Sequence, residues 1–383
     1  MAQTWVPTWR KRLMLAGLDL IARTRRQARR GVSAPDRTAV KVDRILVVEL
    51  WNIGDVVLAM PFLAQLRALF PGSKTTLLAR PHARVILEGT GLVDEFIETD
   101  LAWSERATRF DPFAYRWAEL RRLAREMRNR NFDLAFKCRM HIREHVVLGL
   151  SGARRRVSFA FGQGDRVLTD ALPVGDPNRH KVDDWLKLLE PFGGPMPGTK
   201  VRLRVSEAER QWARQYLRSR GVSPTNTLVG IHPGASIPGK RWPIHRFTAV
   251  AESLRMRPEV KVLAFVEPEG YGRALEEVEG VISAKASLRE LIALIERCDL
   301  LVCNDSGPMH IAGALDVPTV AVFGTGINRW FSPLGGGHRM VSSDAAATRS
   351  PSNDNTLVEP FDIAEVSLRQ VIDAIDDALR SQP

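Results

Sequence analysis

Residues 44–55 read RILVVELWNIGD, an apolar run that ends in a glycine and an aspartate. An unbroken run of aliphatic and β-branched residues is typical of a strand that is buried on both faces of a parallel sheet. A helix predicted over 56–67 follows at once, and it ends before Pro71 and Gly72, which interrupt helices. A strand, a glycine turn and a helix in this order predict the first unit of a parallel α/β sheet.

Strands and helices alternate in the same way on both sides of a segment rich in Pro and Gly. This segment covers 176–198 and contains one short predicted helix, over 181–190. Before it we predict the strands 75–79, 95–98 and 133–137 and an arginine-rich helix over 115–130. After it we predict the helices 206–220, 244–256 and 287–297 and the strands 227–231, 260–265, 299–303 and 319–323.

The two runs predict an α/β protein with two Rossmann-like domains, whose parallel sheets face a central cleft. The N-terminal domain is expected at 41–190 and the C-terminal domain at 200–383, with a C-terminal helix that could pack back on the N-terminal domain. A chain of 383 residues is long enough to give each domain a core of its own. Ligands of open parallel sheets bind outside the carboxyl ends of the strands.

Residues 1–40 form a basic extension before the first domain. Nine Lys or Arg against two Asp give it +7 of the net charge of +11, so the rest of the chain is not basic enough to indicate nucleic-acid binding. Its apolar run, 13–22, is too short to cross a bilayer of about 30 Å, and no signal-peptide cleavage pattern follows. With Trp5 and Trp9, the extension is typical of an amphipathic helix on an anionic membrane surface; a solvated tail is the alternative.

Several classes of protein are excluded by motifs that the sequence lacks. No G-x-G-x-x-G follows a strand and no P-loop occurs, which excludes the usual dinucleotide dehydrogenases and P-loop NTPases. There is no Asp-x-Asp pair and no histidine pattern with metal-ligand spacing, so we expect no metal site. The three cysteines, Cys138, Cys298 and Cys303, are too few for a disulfide framework and suit a reducing cytoplasm.

Residues that could carry chemistry follow three of the predicted strands. Asp55 lies at a helix start, where it is either a helix cap worth about 1 kcal/mol or a catalytic base. The loop 232–243 offers Ser236 and Lys240, groups that suit a diphosphate. The loop 304–310 leads into a helix, and its glycine turn at the helix N-terminus is suited to an anion. Capping residues and solvated charges remain the structural alternatives in both loops.

These segments together resemble a known family. The run GDVVLAMP at 54–61, with Leu66-Arg67 and Phe70-Pro71 after it, is similar to the N-terminal signature of the bacterial heptosyltransferases of glycosyltransferase family 9. The loops 232–243 and 304–310 resemble the second and third motifs of these lipopolysaccharide inner-core enzymes. The similarity extends in order over about 42–336.

The resemblance implies a GT-B fold and a metal-independent, inverting transfer of a sugar from a nucleotide diphosphate, usually ADP-heptose, with no cofactor beyond this donor. By motif position, Asp55 matches the catalytic base, and Lys240 and Ser236 match contacts to the diphosphate. The remaining donor-binding positions are Glu269, Asp305, Ser306, Gly307, Pro308 and His310.

The resemblance also implies an anionic glycolipid acceptor and a place at the cytoplasmic face of the inner membrane. We expect acceptor contacts from polar and basic residues that follow the first, second and fourth strands, namely Asn52, Arg80, Arg84, Arg139 and Arg143. Solvated surface charge is the alternative for each arginine. Three other functions stay open at this point: transfer of another sugar to another glycan, non-catalytic binding of a nucleotide sugar, and sugar-nucleotide epimerisation.

Overall fold

The computed structural model describes residues 41–101, 117–160, 162, 165–176, 179–194, 201–267, 270–324, 330–342 and 363–381. The helix predicted within 1–40 and the donor-binding position Glu269 lie outside these residues. Arg143 lies in a described helix, but its side chain is not described.

The N-terminal domain is built on a six-stranded parallel sheet with the strand order β3-β2-β1-β4-β5-β6. The strands are β1 (Arg44–Glu49), β2 (Lys74–Ala79), β3 (Glu95–Glu98), β4 (Leu134–Lys137), β5 (Arg155–Ala160) and β6 (Asp170–Pro173). The helices are α1 (Ile53–Leu69), α2 (Pro81–Leu87), α3 (Trp117–Asn129) and α4 (Ile142–Leu150). The apolar run that predicts β1 lies at the centre of the sheet, where Ile45–Val48 are fully buried.

The C-terminal domain repeats this architecture with the order β12-β11-β10-β7-β8-β9, again all parallel. The strands are β7 (Thr227–His232), β8 (Val260–Phe265), β9 (Ile282–Ala284), β10 (Leu300–Asn304), β11 (Thr319–Phe323) and β12 (Arg339–Ser342). After α5 (Lys181–Lys187) in the connecting segment, the helices are α6 (Glu207–Arg218), α7 (Ile244–Arg255), α8 (Leu288–Ile295), α9 (Gly307–Ala314) and α10 (Leu368–Arg380). The predicted α/β class with two parallel sheets is confirmed.

The strand order reverses direction at the centre of each sheet. From β1 the chain runs outward to β3 and then returns to β4 on the other side of β1; β7 and β10 repeat this step. Such a reversal leaves a crevice at the carboxyl ends of the two central strands, where ligands of α/β proteins bind. The segments after β1, β4, β7 and β10 therefore line the two crevices.

The contacts of the C-terminal helix that define its position lie within its own domain. The helix α10 packs against β10–β12 and α7. Val371, Ile375 and Ala378 recur at helical spacing on one face, and that face joins the buried core of the C-terminal sheet. In the part of the chain that the structure describes, no helix is long and apolar enough to cross a membrane.

Candidate active site

The two domains meet where the N-termini of α1 and α9 approach each other. A Cβ atom on Gly54 would lie 2.4 Å from Cδ2 of His310, and one on Gly307 would lie 2.9 Å from Cβ of Ile53. Each helix therefore places a side chain against a glycine of the other helix, and only glycine permits this distance. Free N–H groups and helix dipoles from both termini favour a negatively charged ligand nearby.

Asp55 lies in the first turn of α1 and is 9% exposed. Its Oδ2 accepts a hydrogen bond from the backbone N–H of Asn52 at 3.2 Å, so the residue does cap the helix. Its Oδ1 lies 3.1 Å from Nη1 of Arg139, which follows β4. Because a carboxylate has about four acceptor positions, these two contacts leave room for an acceptor hydroxyl.

Arg139 lies between aromatic rings from both domains. Its guanidinium lies 4.4 Å from the centre of the Trp51 ring and 5.5 Å from the centre of the Phe331 ring. Trp51 belongs to the N-terminal domain and Phe331 to the segment after β11 in the C-terminal domain. A planar guanidinium stacks on aromatic faces in this way and can still pair with a carboxylate. The contact between Arg139 and Asp55 therefore has support from both domains.

Two buried carboxyl groups lie behind Trp51. Glu49 Oε1 accepts from the backbone N–H of Trp51 at 3.2 Å, and Glu144 Oε1 accepts from its indole Nε1–H at 2.6 Å. Burial and the nearby charge of Asp55 raise the pKa of Glu49 well above its usual value. Burial also raises the pKa of Glu144, to about 7, although Lys137 and Arg139 oppose the rise. Motif reading missed these residues, because the Trp51–Glu144 contact joins positions 93 apart in the sequence.

The loop 232–243 supplies the cation of the C-terminal half of the site. Lys240 ends a 3-10 turn, Pro238–Lys240, and its Nζ donates a hydrogen bond to Oδ2 of Asp305. Lys240 is partly exposed, whereas the Asp305 side chain is 7% exposed. Ser236 is exposed on the same loop. The structure thus brings Lys240 and Asp305 together and keeps the ammonium group within reach of solvent.

Asn304, at the end of β10, fixes the course of this loop. Its Nδ2 donates to the carbonyl of Pro233 at 2.6 Å, and its Oδ1 accepts from the backbone N–H of Trp242 at 3.1 Å. Asn304 and Trp242 are both fully buried. One amide side chain therefore joins the beginning and the end of the loop that carries Lys240.

His310 and Ser306 present buried polar atoms at the N-terminus of α9. His310 Nδ1 and Ser306 Oγ have no hydrogen-bond partner among the residues that the structure describes. Burial lowers the pKa of His310 to about 4, while Asp305 and Asp55 act in the opposite direction. The imidazole is therefore neutral at pH 7. Unpartnered buried polar atoms are rare in proteins and, at a helix N-terminus, are available to a ligand.

The residues expected to bind an acceptor do not all gather around Asp55. Arg80 Nη1 donates to Oδ1 of Asn52 at 3.5 Å, which places both beside the start of α1. Arg84 instead pairs with Glu98 and stacks over Phe96 at 4.6 Å, so its contacts are with β3.

On the donor side, Pro308 is buried at the start of α9. Glu267, two residues before Glu269, lies over the loop that begins at His232: a Cβ atom on Gly234 would lie 2.0 Å from its Oε1.

Two parallel six-stranded sheets that share one strand order, with anion-suited loops at their reversal points, are the architecture of the GT-B fold. The family model described as Glycosyltransferase family 9 (heptosyltransferase) matches residues 120–358, which is more than half of the chain. The chain belongs to glycosyltransferase family 9 and is an enzyme of the glycosyltransferase class.

Individual relatives agree with this assignment. Lipopolysaccharide heptosyltransferase 2 of Salmonella typhimurium is 23% identical over 323 residues, which cover 78% of this chain and 87% of that protein. The structure of glycosyl transferase family 9 from Veillonella parvula has a TM-score of 0.72 at 24% identity, over 90% of this chain and 100% of its own. E. coli ADP-heptose LPS heptosyltransferase II has a TM-score of 0.68 at 20% identity, over 88% and 98%. At these identities, the two structures show a common fold.

Proposed function

We propose that this chain transfers a heptose from ADP-heptose to an anionic glycolipid of the lipopolysaccharide inner-core type, with inversion at the anomeric carbon and without a metal ion. Family 9 membership and the names of relatives, which include ADP-heptose LPS heptosyltransferase II, support the donor and the acceptor. The position of His310 carries the assignment of residues. Its ring lies within electrostatic reach of Asp305, Asp55 and Lys240 at once. Its ring also packs against Gly54, the residue before the proposed base, so the proposed base and the proposed phosphate-binding loop approach each other at the domain boundary.

In the proposed reaction, Asp55 accepts the proton of an acceptor hydroxyl while its oxygen attacks the anomeric carbon. The bond between that carbon and the diphosphate oxygen breaks, and ADP leaves with the electron pair. Attack opposite the leaving group inverts the configuration. Lys240 and the N–H groups at the start of α9 stabilise the charge that develops on ADP, which is the contribution a metal ion makes in other transferases.

The remaining roles follow from position. Ser236 and Lys240 contact the diphosphate, while Asp305 orients Lys240 and can accept a hydrogen bond from a sugar hydroxyl. Asn52, Arg80 and Arg139 lie on the N-terminal side, where a negatively charged acceptor would bind. We further propose that the N-terminal domain covers 41–190 and the C-terminal domain 200–383. Glu269 contacts the nucleoside of the donor. Residues 1–40 attach the protein to anionic membranes.

The direct test measures sugar transfer from ADP-heptose to a core acceptor that lacks heptose, by mass spectrometry of the product. We expect turnover by the natural protein, unaffected by a metal chelator, and a product whose anomeric configuration by NMR is opposite to that of the donor. Asp55→Asn should lower kcat by about 100-fold or more while ADP binding remains, because a general base contributes about 10²–10⁴-fold.

The matched control is Asp373→Asn, since Asp373 is an exposed residue of α10 that lies on the surface of the C-terminal domain. Two results would contradict the proposal. One is undiminished transfer by Asp55→Asn. The other is tight ADP-heptose binding by the natural protein with no transfer to any core acceptor, which would favour a binding protein.

A further inference from the structure

A chain of four side chains leads from a buried helix to Asp55. Glu144, in the first turn of α4, accepts a hydrogen bond from the Trp51 indole Nε1–H at 2.6 Å. The Arg139 guanidinium lies over the Trp51 ring, 4.4 Å from its centre. Arg139 Nη1 lies 3.1 Å from Asp55 Oδ1. These contacts connect Glu144 to the proposed base through two other side chains.

The hydrogen bond to Trp51 alone does not account for a carboxyl group at position 144. Glu144 is 1% exposed, and its Oε2 has no hydrogen-bond partner in the described part of the chain. Burial of a carboxyl group with an unmatched oxygen is unfavourable. A neutral amide could accept from the indole N–H equally well. The feature that distinguishes Glu144 from such an acceptor is its ability to carry negative charge.

A negative charge at this place strengthens the next contact. Hydrogen bonds to an ionised acceptor are stronger than neutral ones and polarise the donor group. An indole whose N–H is held by a carboxylate has a more negative ring face, and a guanidinium is attracted to that face. Glu49 accepts from the backbone N–H of Trp51 and not from the indole N–H, so it is not placed to polarise the ring in this way. Burial also raises the pKa of Glu49 well above its usual value.

We propose that ionised Glu144 is a positioning residue, which polarises Trp51 so that the indole holds Arg139 in the place where it orients Asp55. This inference rests on the proposed function, because it takes Asp55 as the base of the transfer reaction. It also gives a reason for Phe331, which covers Arg139 from the C-terminal domain at 5.5 Å. The orientation of the base is complete when both rings flank the guanidinium.

The charge of Glu144 depends on several neighbouring groups. Burial raises its pKa to about 7; the positive charges of Lys137 and Arg139 and the hydrogen bond from Trp51 oppose the rise, while the negative charge of Asp55 adds to it. Glu49 lies within electrostatic reach as well. Glu144 is therefore ionised above about pH 7 and neutral below it. We expect kcat to fall as the pH falls through this value.

The kinetic test compares Glu144→Gln, which can still accept from the indole N–H, with Trp51→Phe, which keeps a ring face for Arg139. Each substitution should lower kcat roughly tenfold and change the KM for the donor by less than about twofold, because a small misplacement of a reacting group can lower a rate by up to about 100-fold. Since both act through one contact, the double variant should be no slower than the single ones. The limb of the pH profile near 7 should disappear in Glu144→Gln.

A second readout is independent of turnover. The chain has nine Trp, and Trp51→Phe identifies the indole N–H signal of Trp51 in an NMR spectrum by its loss. In the natural protein this signal should shift as the pH crosses about 7, and in Glu144→Gln it should not. Glu252→Gln, on the exposed side of α7, and Trp212→Phe, in α6, are matched controls that should leave both readouts unchanged.

The outcomes separate this inference from the proposed function. If Asp55→Asn remains active, the proposed function fails. If Asp55→Asn is inactive but Glu144→Gln keeps the natural kcat and pH profile, only the positioning role fails. A double variant that is about 100-fold slower, with the effects multiplied, would likewise overturn the shared pathway through Trp51.

Discussion

Two glycines determine how closely the domains approach at the level of single residues. Gly54→Ala would place a methyl group 2.4 Å from Cδ2 of His310, a distance that real Cβ contacts do not reach. His310 is buried, so its ring has little room to move, and the clash should separate the starts of α1 and α9. We expect at least a tenfold loss of transfer rate, as a misplacement of about 1 Å can cost about 100-fold. Steady-state kinetics with ADP-heptose measures the effect.

Gly72→Ala is the matched control for this substitution. A Cβ atom at Gly72 has no atom within 4 Å, and the residue does not have a positive φ angle. This variant should keep the full transfer rate. Equal rates for Gly54→Ala and Gly72→Ala would show that the approach of the two helices is not required for catalysis.

Lys240 is expected to act mainly on the leaving group. Lys240→Gln keeps a polar side chain, one atom shorter, but removes the charge that would stabilise departing ADP, so kcat should fall by about 10²–10³-fold. The substitution also leaves the buried carboxylate of Asp305 without the ammonium group that it now contacts. We therefore expect a loss of unfolding free energy of about 1–3 kcal/mol as well, which chemical denaturation can measure.

A second substitution separates these two effects of Lys240. Lys240→Gln combined with Asp305→Asn replaces both charges and should recover the unfolding free energy while activity stays low. Lys285→Gln, at an exposed lysine paired with Glu276, is the control and should change neither quantity. If the double variant recovered transfer together with stability, the charge of Lys240 would have no role in departure of ADP.

Among the elements, β10 does more than complete its sheet, because its last residue holds the neighbouring loop. Asn304→Ala removes two buried hydrogen bonds, to Pro233 and from Trp242, and leaves both backbone groups without these partners. Each of the two backbone groups left without a partner costs about 1–3 kcal/mol, and water that enters the space recovers part of this cost. We therefore expect the unfolding free energy to fall by about 2–4 kcal/mol. The loop that carries Lys240 should become less ordered, and calorimetry should record weaker ADP binding.

Asn226→Ala is the comparison for this effect. Asn226 also hydrogen-bonds to backbone groups, accepting from Ser223 N–H, but it lies in a surface turn before β7. Asn226→Ala should lower the unfolding free energy less than Asn304→Ala does, and it should keep the natural affinity for ADP. If both variants bound ADP equally well, Asn304 would not be needed to shape the loop.

The elements also show what sequence patterns can and cannot predict. Strands inside the sheets are predictable because burial on both faces leaves continuous apolar runs, and β8 and β11 occur at the predicted residues. The short edge strand β3 was also placed correctly. The strands β5, β6, β9 and β12 were missed, since sheet margins are half exposed and their side chains are mixed, as in Arg155–Ala160. The helix α1 begins at Ile53, three residues earlier than predicted, because Asn52 and Asp55 form its cap.

The candidate site was predictable only in part. Asp55, Lys240 and Asp305 follow central strands, and the geometry of parallel sheets implies that such residues meet in a cleft. The support around Asp55 was not predictable, because Trp51, Glu144 and Phe331 meet only after both domains have formed. Arg84 shows the same limit in reverse: its place after β2 suggested the cleft, but Glu98 lies close enough to pair with it.

For the whole molecule, the arrangement of the domains depends on contacts that no single motif contains. Besides the contact of α1 with α9, Arg289 of α8 donates to the carbonyl of Val85 in α2 at 3.3 Å. In the connecting segment, the backbone N–H of Lys181 donates to the carbonyl of Trp330 at 3.0 Å, and the Lys181 Nζ lies 4.5 Å from the centre of its ring. The domains are therefore in contact at several places, directly or through the segment that connects them.

The pH dependence of stability should reflect histidines buried in both domains. Burial lowers the pKa of His145, His232 and His310 to about 4 in each case. An unfolded chain protonates these histidines near pH 6.5, so between about 6.5 and 4 it binds more protons than the folded protein. Their contribution to stability is thus present above pH 6.5 and is lost as the pH falls toward 4. The slope reaches up to about 4 kcal/mol per pH unit if all three contribute fully.

Denaturation at a series of pH values can attribute this slope to particular residues. In His310→Asn one titrating group is gone. The slope of the unfolding free energy against pH, between pH 6.5 and 4, should therefore be smaller than in the natural protein by about 1.4 kcal/mol per pH unit. His245→Asn, at an exposed position of α7, should leave the slope unchanged. If the slope were the same in all three proteins, His310 would titrate normally in the folded state. A normal pKa would mean that the ring is open to water. That result would contradict the close contact between His310 and Gly54 at the domain boundary.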